Sequence, residues 1–258
     1  MLESAFRRPV VRSALAGVLL ALTLFLPGTA CQFLHHSFEE PPSPDSATVL
    51  WAGAVTDSSA RVVARPARPT PGLQLAVDTT GTWTAARRLD GTPSSTNSNA
   101  VHFQLTGLQP RAMYHYALVV DGRVDSTRSG QVRTFGDGPF SFRVAMGGCA
   151  RTGSDHPVFT AIRKAQPDLF LHLGDMHYED IESTTPGPFR TAYRQVHASG
   201  PQAMLYRSTA LSYVWDDHDY GPNNSSRRAP WQDAAQRVYR ELVPHYELGP
   251  NRPAEPIY

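Results

Sequence analysis

Short apolar segments separated by turn-forming residues fill the stretch from residue 47 to residue 136. Five of these segments alternate apolar with polar positions or are rich in β-branched residues, and they predict strands at 48–52, 60–64, 73–77, 101–105 and 114–120. Gly, Pro, Ser, Asp and Thr cluster between them, and Asp121-Gly122 predicts a tight turn. Regularly spaced short strands without helices predict an all-β sandwich over residues 47–136.

From Gly136 onward, strand-like and helical patterns alternate. Predicted strands cover 140–146, 168–173 and 211–215, and predicted helices cover 156–165, 188–196 and 231–242. The near-continuous apolar run at 168–173 is typical of a parallel strand that is buried on both faces. Alternating strands and helices predict an α/β layered core over residues 137–258.

Residues 1–31 have the pattern of an export signal. Three arginines precede an apolar run at residues 14–26, and small residues lead up to Cys31. The run is short for a membrane span, which needs roughly 20 apolar residues. The sequence therefore predicts an exported protein in the periplasm or at the cell surface.

Cys31 leaves two export routes open. It stands where a bacterial lipobox places its lipidated cysteine, which predicts a lipid anchor, but Gly28 replaces the usual leucine. Cleavage by an ordinary signal peptidase is the alternative. The Pro-rich, acidic residues 32–46 predict a linker. Cys149 is the other cysteine, and we expect it to be either a buried small side chain or a metal thiolate rather than a disulfide partner of Cys31.

Composition narrows the class of function only slightly. Apolar residues make up 41% of the 258 residues, charged residues make up 18%, and the net charge is +1. These values suit a globular protein. The sequence lacks a basic patch of the kind that would indicate specific nucleic-acid binding. It leaves the oligomeric state open.

Polar clusters follow three predicted strands, at Cys149, at Asp175 and at Asp216–His218. Open α/β sheets bind ligands beyond the carboxyl ends of their strands, so these clusters are expected to meet in one crevice. A carboxylate after a buried strand needs a partner, and a cation is one. Tyr178 could reach the same ion as a phenolate, which suits ferric iron. The alternative is Asp175 as a helix N-cap beside a packed Tyr178.

The third cluster, residues 215–224, reads Trp-Asp-Asp-His-Asp-Tyr-Gly-Pro-Asn-Asn. The adjacent carboxylates of Asp216 and Asp217 repel each other unless a cation binds. His218 could contact a phosphoryl group or protonate a leaving oxygen. A surface turn rich in Asp, Asn and Gly is the alternative, although an apolar strand leads into it.

Two motifs resemble the signatures of a known enzyme class. Gly174-Asp175-x-x-Tyr178 and Asp217-His218-Asp219 are similar to the metallophosphoesterase motifs GDxxY and GNH(D/E). The longer segments FRVAMGGC, LHLGDMHYED and YVWDDHDYGPNN resemble the alkaline phosphatase D-like family of phosphodiesterases. That family also has an export signal and an N-terminal fibronectin-like sandwich, so the resemblance covers nearly the whole chain.

The sandwich has a resemblance of its own. The segment Leu-Gln-Pro-Arg-Ala-Met-Tyr at residues 108–114 resembles the fibronectin type III tyrosine corner, in which a tyrosine near a strand start hydrogen-bonds the preceding turn. The expected fold is therefore a fibronectin III-like β-sandwich followed by a metallophosphoesterase α/β/β/α core. A sandwich by itself implies no activity.

The family resemblance also implies roles for individual residues. Asp175 would bridge two metals, while Cys149 and Tyr178 would bind ferric iron. Asp217 stands at the Asn position of GNH as a metal ligand. His218 would contact or protonate the substrate phosphate, and Asn224 is a weaker candidate for the second metal or the phosphate. The implied cofactors are Fe³⁺ and Ca²⁺, with another divalent metal open.

The expected activity is hydrolysis of a phosphate ester by a metal-activated water, of the phosphodiesterase or alkaline phosphatase type. The family places further His and Asp ligands beyond this point, so we expect only the first half of the core, over residues 137–258, and weak or no turnover by this chain alone. The alternative is a non-catalytic cell-surface binding module that carries a degenerate phosphatase remnant. Cys149 argues against a purple acid phosphatase, which has a carboxylate at the first motif.

Overall fold

The computed structural model describes residues 47–94, 98–198, 200–226 and 228–248. The predicted signal segment, the linker and Cys31 lie outside these residues. Within the described ranges, none of the helices has both the length and the hydropathy of a membrane span.

Twelve short strands and four α-helices make up the described fold. The strands are β1 (Ala47–Gly53), β2 (Ser59–Pro66), β3 (Gln74–Asp78), β4 (Arg87–Asp90), β5 (Thr92–Pro93), β6 (Val101–Thr106), β7 (Met113–Val120), β8 (Arg123–Val124), β9 (Gly130–Arg133), β10 (Val144–Gly147), β11 (Leu169–His172) and β12 (Ala210–Tyr213). The helices are α1 (Pro157–Lys164), α2 (Pro186–Val196), α3 (Gly200–Ser208) and α4 (Gln232–Leu242). Short 3₁₀ turns cover Ser126–Arg128 and Asp217–Asp219.

The first nine strands form a β-sandwich. One layer has the order β1-β2-β6-β5, and the other has the order β4-β3-β7-β8 with β9 also paired to β7. In β6, Val101, Phe103 and Leu105 are buried while Gln104 is exposed, as the alternation in the sequence predicts. The Tyr114 hydroxyl accepts a hydrogen bond from the Gln109 N–H at 2.8 Å, which is the contact that the tyrosine-corner segment predicts.

The last three strands, β10, β11 and β12, are parallel and carry the helices. β12 also pairs in parallel with β1, which joins all of them to the first sandwich layer in one seven-stranded mixed sheet. Gly53 is needed at this junction, because a Cβ there would lie 2.4 Å from the carbonyl oxygen of Leu211. The sheet therefore runs through both predicted domains.

From Val49 onward, β1 is buried on both faces, which explains its apolar sequence there. Leu50 packs in the sandwich core, and Trp51 packs among the helices. The Trp51 ring lies 4.7 Å from the His197 ring in an edge-on contact, and its Nε1–H donates to the Leu242 carbonyl at 2.5 Å. One tryptophan thus ties the sandwich layer to the segment after α2 and to the end of α4.

Two sequence predictions of elements were wrong. The strand predicted at 140–146 begins only at Val144, because the Phe140 and Phe142 rings pack with Phe135, at centroid distances of 6.2 and 6.3 Å, instead of entering the sheet. Helix α3 was not predicted, because the polar Gln202 belongs to its buried face, which weakens the apolar pattern, and because its start reads as a Gly-Pro loop.

Candidate metal centre

The three polar clusters do meet at one edge of the sheet. Cys149 follows β10, Asp175 follows β11 and Asp217 follows β12, and these are neighbouring parallel strands. One ligand atom from each of Asp175, Asp217 and His218 lies within 4.8 Å of the others. The strand order thus brings together residues that are far apart in the sequence.

Asp175 is the centre of the cluster and is buried. Its Oδ2 accepts a hydrogen bond from the Tyr178 hydroxyl at 2.7 Å and lies 3.6 Å from the Cys149 Sγ. A carboxylate, a phenol and a thiol, all of which can become anionic, therefore surround one point. Such a donor set suits ferric iron or another cation that binds oxygen and thiolate.

Two of the predicted site residues have a left-handed backbone. Cys149 has φ 57° and Asp175 has φ 53°, a region that non-glycine residues seldom adopt. Gly174, with φ 106°, permits a close approach, because a Cβ there would lie 2.6 Å from the Asp216 Cβ. Strained backbone of this kind is common at functional sites.

Asp219 holds together the loop at Asp175 and the loop at Asp216, a role that the sequence did not reveal. Its carboxylate accepts hydrogen bonds from the backbone N–H groups of Asp175 at 2.8 Å, Met176 at 2.7 Å and Asp216 at 2.8 Å. The Tyr213 hydroxyl donates to it as well. Burial raises the pKa of Asp219 to about 7, against the lowering effect of these donated bonds. The sequence signals were a third acid in the cluster and the resemblance of Asp219 to the last position of GNH(D/E), and neither indicated this positioning role.

Asp217 and Asn224 lie side by side. The Asp217 Oδ1 accepts from the His218 N–H at 3.1 Å, and its Oδ2 accepts from the backbone N–H of Asn224. Asn224 has φ 62° and is exposed. Asn224 therefore contacts Asp217 through its backbone, and among the described residues its side chain makes no hydrogen bond.

The His218 side chain lies between Tyr178 and Asp180. Its ring centroid is 4.3 Å from that of Tyr178, and its Nδ1 is 2.9 Å from the Asp180 Oδ1 without hydrogen-bond alignment. The His218 backbone N–H also reaches the Asp175 Oδ1 at 3.3 Å. Asp180, which the sequence analysis did not single out, is thus placed to orient the imidazole.

Electrostatics favour a cation at this point. Desolvation raises the pKa of Tyr178, and the neighbouring Asp175 and Cys149 raise it further. Without a positive charge, ionising the phenol beside a carboxylate and a thiol is unfavourable, and a bound cation reverses that balance.

Two further histidines lie close by in sequence. His172 is buried among aromatic rings, as expected for a core histidine, and desolvation lowers its pKa to about 3. His177 is also fully buried, and neither ring nitrogen has a hydrogen-bond partner among the described residues. Burial lowers the pKa of His177 to about 4.

A cavity of about 510 Å³ opens beside the cluster. It begins at Cys149 and extends along α1, where its walls include Val158, Phe159 and Phe170. Its position gives the cluster an apolar neighbour on one side.

Two solved structures resemble this fold. The chain superposes on a structure of PhoD with a TM-score of 0.67 and 17% identity, covering 80% of this chain and 48% of that one. It superposes on a purple acid phosphatase from yellow lupin (Lupinus luteus) seeds with a TM-score of 0.54 and 11% identity, covering 81% of this chain and 42% of that one. The fold is therefore phosphoesterase-like, and the chain spans less than half the length of either structure.

Sequence comparison adds nothing further. No family profile matches the chain, and no curated protein matches it. A fibronectin type III domain of human collagen XX covers 35% of the chain with a TM-score of 0.28, which is too low to support an assignment.

Proposed function

We propose that this chain is a metal-dependent hydrolase of phosphate esters, of the alkaline phosphatase D-like type. The observation that carries the proposal is that the Cys149 thiol and the Tyr178 hydroxyl both contact one carboxylate oxygen of Asp175. Asp217 and His218 lie beside this carboxylate. The superposition on PhoD supports the proposal at the level of the fold, and open α/β sheets bind ligands beyond the carboxyl ends of their strands, where these loops lie.

The donor set fits the metals that the family resemblance implies. Cys149, Tyr178 and Asp175 would hold Fe³⁺, and Asp175 with Asp217 would hold Ca²⁺ or another divalent ion. Two ionisable groups, a thiol and a phenol, packed on one buried carboxylate with no cationic side chain among the three, match a site that binds positive charge. When bound, such ions polarise the phosphoryl oxygens and lower the pKa of a water.

The protein side chains would position the substrate. The Nδ1 of His218 lies beside Asp180, and its Nε2 would contact or protonate a phosphoryl or leaving-group oxygen. The exposed Asn224 amide can donate to a phosphate oxygen across the Asp217 loop. Asp219 keeps the Asp175 turn and the Asp216 turn in register, so that both donor loops face the same ligand.

We also propose the surrounding organisation that the sequence predicts. Residues 1–31 direct export to the periplasm or cell surface, with lipidation at Cys31 or cleavage before it as the two routes. The sandwich is of the fibronectin type III kind, supported by the Tyr114–Gln109 hydrogen bond and by its two-layer strand order.

Metal analysis of the purified 258-residue chain tests the proposal. The wild type should bind iron and show the visible charge-transfer band of a phenolate–iron pair. Asp175→Asn should lose most of the iron, and Tyr178→Phe should lose the band. Asp137→Asn is the matched control, because Asp137 is exposed in a loop away from the cluster.

Hydrolysis of bis(p-nitrophenyl) phosphate is measured on the same samples. We expect at most weak turnover from this chain alone, and any iron-dependent turnover that is lost in Asp175→Asn supports a hydrolase. A wild type that binds no iron, or an Asp175→Asn variant that binds as much iron as Asp137→Asn, would contradict the proposal and favour the non-catalytic binding module.

A further inference from the structure

A second cavity, of about 460 Å³, lies at the opposite end of the parallel strands from the candidate metal centre. Its wall includes Arg143, which precedes β10, and Asp168, which precedes β11. Cys149 and Asp175 follow the same two strands at their other ends. The cavity is therefore separate from the metal cluster, and no role in the proposed phosphoester hydrolysis accounts for it.

Positive charge dominates this cavity. Three guanidinium groups, from Arg111, Arg133 and Arg143, share the lining with a single carboxylate, Asp168. Asp168 is already engaged, because its Oδ1 lies 3.2 Å from the Arg133 Nε and its Oδ2 accepts from the Arg143 backbone N–H at 2.8 Å. One carboxylate cannot balance three cations, so the lining carries a net positive charge.

Arg111 is the arginine most available to a ligand. The Arg143 guanidinium donates to the Ala165 carbonyl, and Arg133 pairs with Asp168. Among the described residues, the Arg111 side chain makes no hydrogen bond or ion pair, although the residue sits in a left-handed turn with φ 56°. Its backbone is fixed by the bond from its N–H to the Phe135 carbonyl at 3.0 Å. The Arg111 guanidinium, on a backbone that this bond fixes, can therefore bind an anion.

The cavity also has an aromatic wall. Phe140 and Phe142 both line it, with ring centroids 5.3 Å apart, and Phe142 is 54% exposed. Exposing a phenyl ring to water is unfavourable, and a flat apolar group that covered it would remove that cost. These are the two rings whose packing prevents residues 140–143 from joining β10.

We propose that this cavity binds a small aromatic phosphate. The fork of Arg111, with Arg133 beside it, suits the phosphate oxygens, because guanidinium groups pair with phosphate through two parallel N–H···O bonds. The aromatic group of the ligand packs on Phe140 and Phe142. The volume lies in the roughly 300–1,000 Å³ range of small-molecule sites.

Calorimetric titration of the full 258-residue chain with phenylphosphonate tests this site. The probe has no ester bond, so the proposed hydrolase activity cannot consume it. Binding should saturate, and inorganic phosphate, which lacks the ring, should bind several-fold more weakly. Arg111→Gln should weaken phenylphosphonate binding about tenfold, since it removes charge-assisted hydrogen bonds.

Three variants serve as controls. Arg123→Gln, at an exposed arginine of β8 outside the cavity, should bind phenylphosphonate like the wild type. Arg111→Lys should keep part of the affinity, because it retains the charge without the fork. Asp175→Asn should leave the affinity unchanged, which separates this site from the metal centre. The proposal is wrong if the wild type shows no saturable binding, or if Arg111→Gln binds as tightly as Arg123→Gln.

Discussion

Asp219→Asn tests whether a single buried carboxylate holds the two ligand loops together. The Oδ2 of Asp219 accepts from the N–H groups of Asp175 and Asp216, and its Oδ1 accepts from the Met176 N–H and the Tyr213 hydroxyl. Asparagine has nearly the same shape as aspartate, so the change removes charge and one acceptor atom while it opens no cavity.

The cost follows from the orientation of the new amide. An –NH₂ in place of Oδ2 would face two backbone N–H donors. In place of Oδ1 it would face only the Met176 N–H, because the Tyr213 hydroxyl can rotate and accept. The better orientation therefore leaves one buried donor unsatisfied and weakens the bonds from Asp175 and Asp216. We expect this unsatisfied donor to cost about 1–3 kcal/mol in the free energy of unfolding relative to the protonated wild-type carboxyl. At higher pH the loss shrinks, because the raised pKa of Asp219 means that ionisation of this buried carboxyl itself destabilises the wild type.

Urea denaturation at pH 4 measures this loss, since at that pH the wild-type carboxyl is protonated in the fold, given a pKa of about 7, and no buried charge offsets the loss. Asp137→Asn, the same substitution on the surface, should stay within about 0.5 kcal/mol of the wild type. Iron binding at low denaturant should also weaken in Asp219→Asn, because the Asp175 turn loses its anchor, and Asp137→Asn should bind iron normally. If Asp219→Asn is as stable as Asp137→Asn and binds iron as tightly, then Asp219 does not position these loops.

Three further changes have expected outcomes. Arg190→Ala should lower the free energy of unfolding, measured in urea, by about 3–5 kcal/mol, because it leaves the buried Glu241 carboxylate without the guanidinium that now donates to it at 2.7 and 2.8 Å. The double variant Arg190→Met with Glu241→Leu should recover most of this loss. His172→Phe should reduce the acid sensitivity of unfolding. The pKa of His172 is about 3 in the fold and ordinarily 6.5, so acidification below pH 6.5 weakens the wild type by up to about 1.4 kcal/mol per pH unit at this ring; equal pH slopes for variant and wild type would contradict this. Tyr114→Phe should lower the thermal unfolding midpoint by a few degrees, because it removes the acceptor for the Gln109 N–H and with it about 1 kcal/mol of the free energy of unfolding. An unchanged midpoint would show that water replaces the hydroxyl.

The sequence alone determined the elements with a strong period and the residue types of the candidate site. Alternation marked β6, and the apolar run at 168–173 marked β11, because burial of a strand face acts directly on side-chain choice. The predicted burial of β11 on both faces was wrong, since Leu169 and Leu171 on one face are only half-buried. The positions of Cys149, Asp175 and Asp217 after three strands predicted that they would meet, since parallel neighbours end at one edge. Their role in binding metal stays a prediction.

Tertiary structure alone decided how the parts are joined and held. The pairing of β1 with β12, and the burial of Trp51 among the helices, depend on contacts between residues far apart in the chain, and no local pattern encodes them. The same holds for Asp219 and Asp180. In the sequence they are two acids in polar loops, and only the packing of those loops shows that one is buried under four donors while the other faces His218. Local preferences set which elements form, whereas the partners of a buried polar group are fixed only when the chain has brought distant segments together.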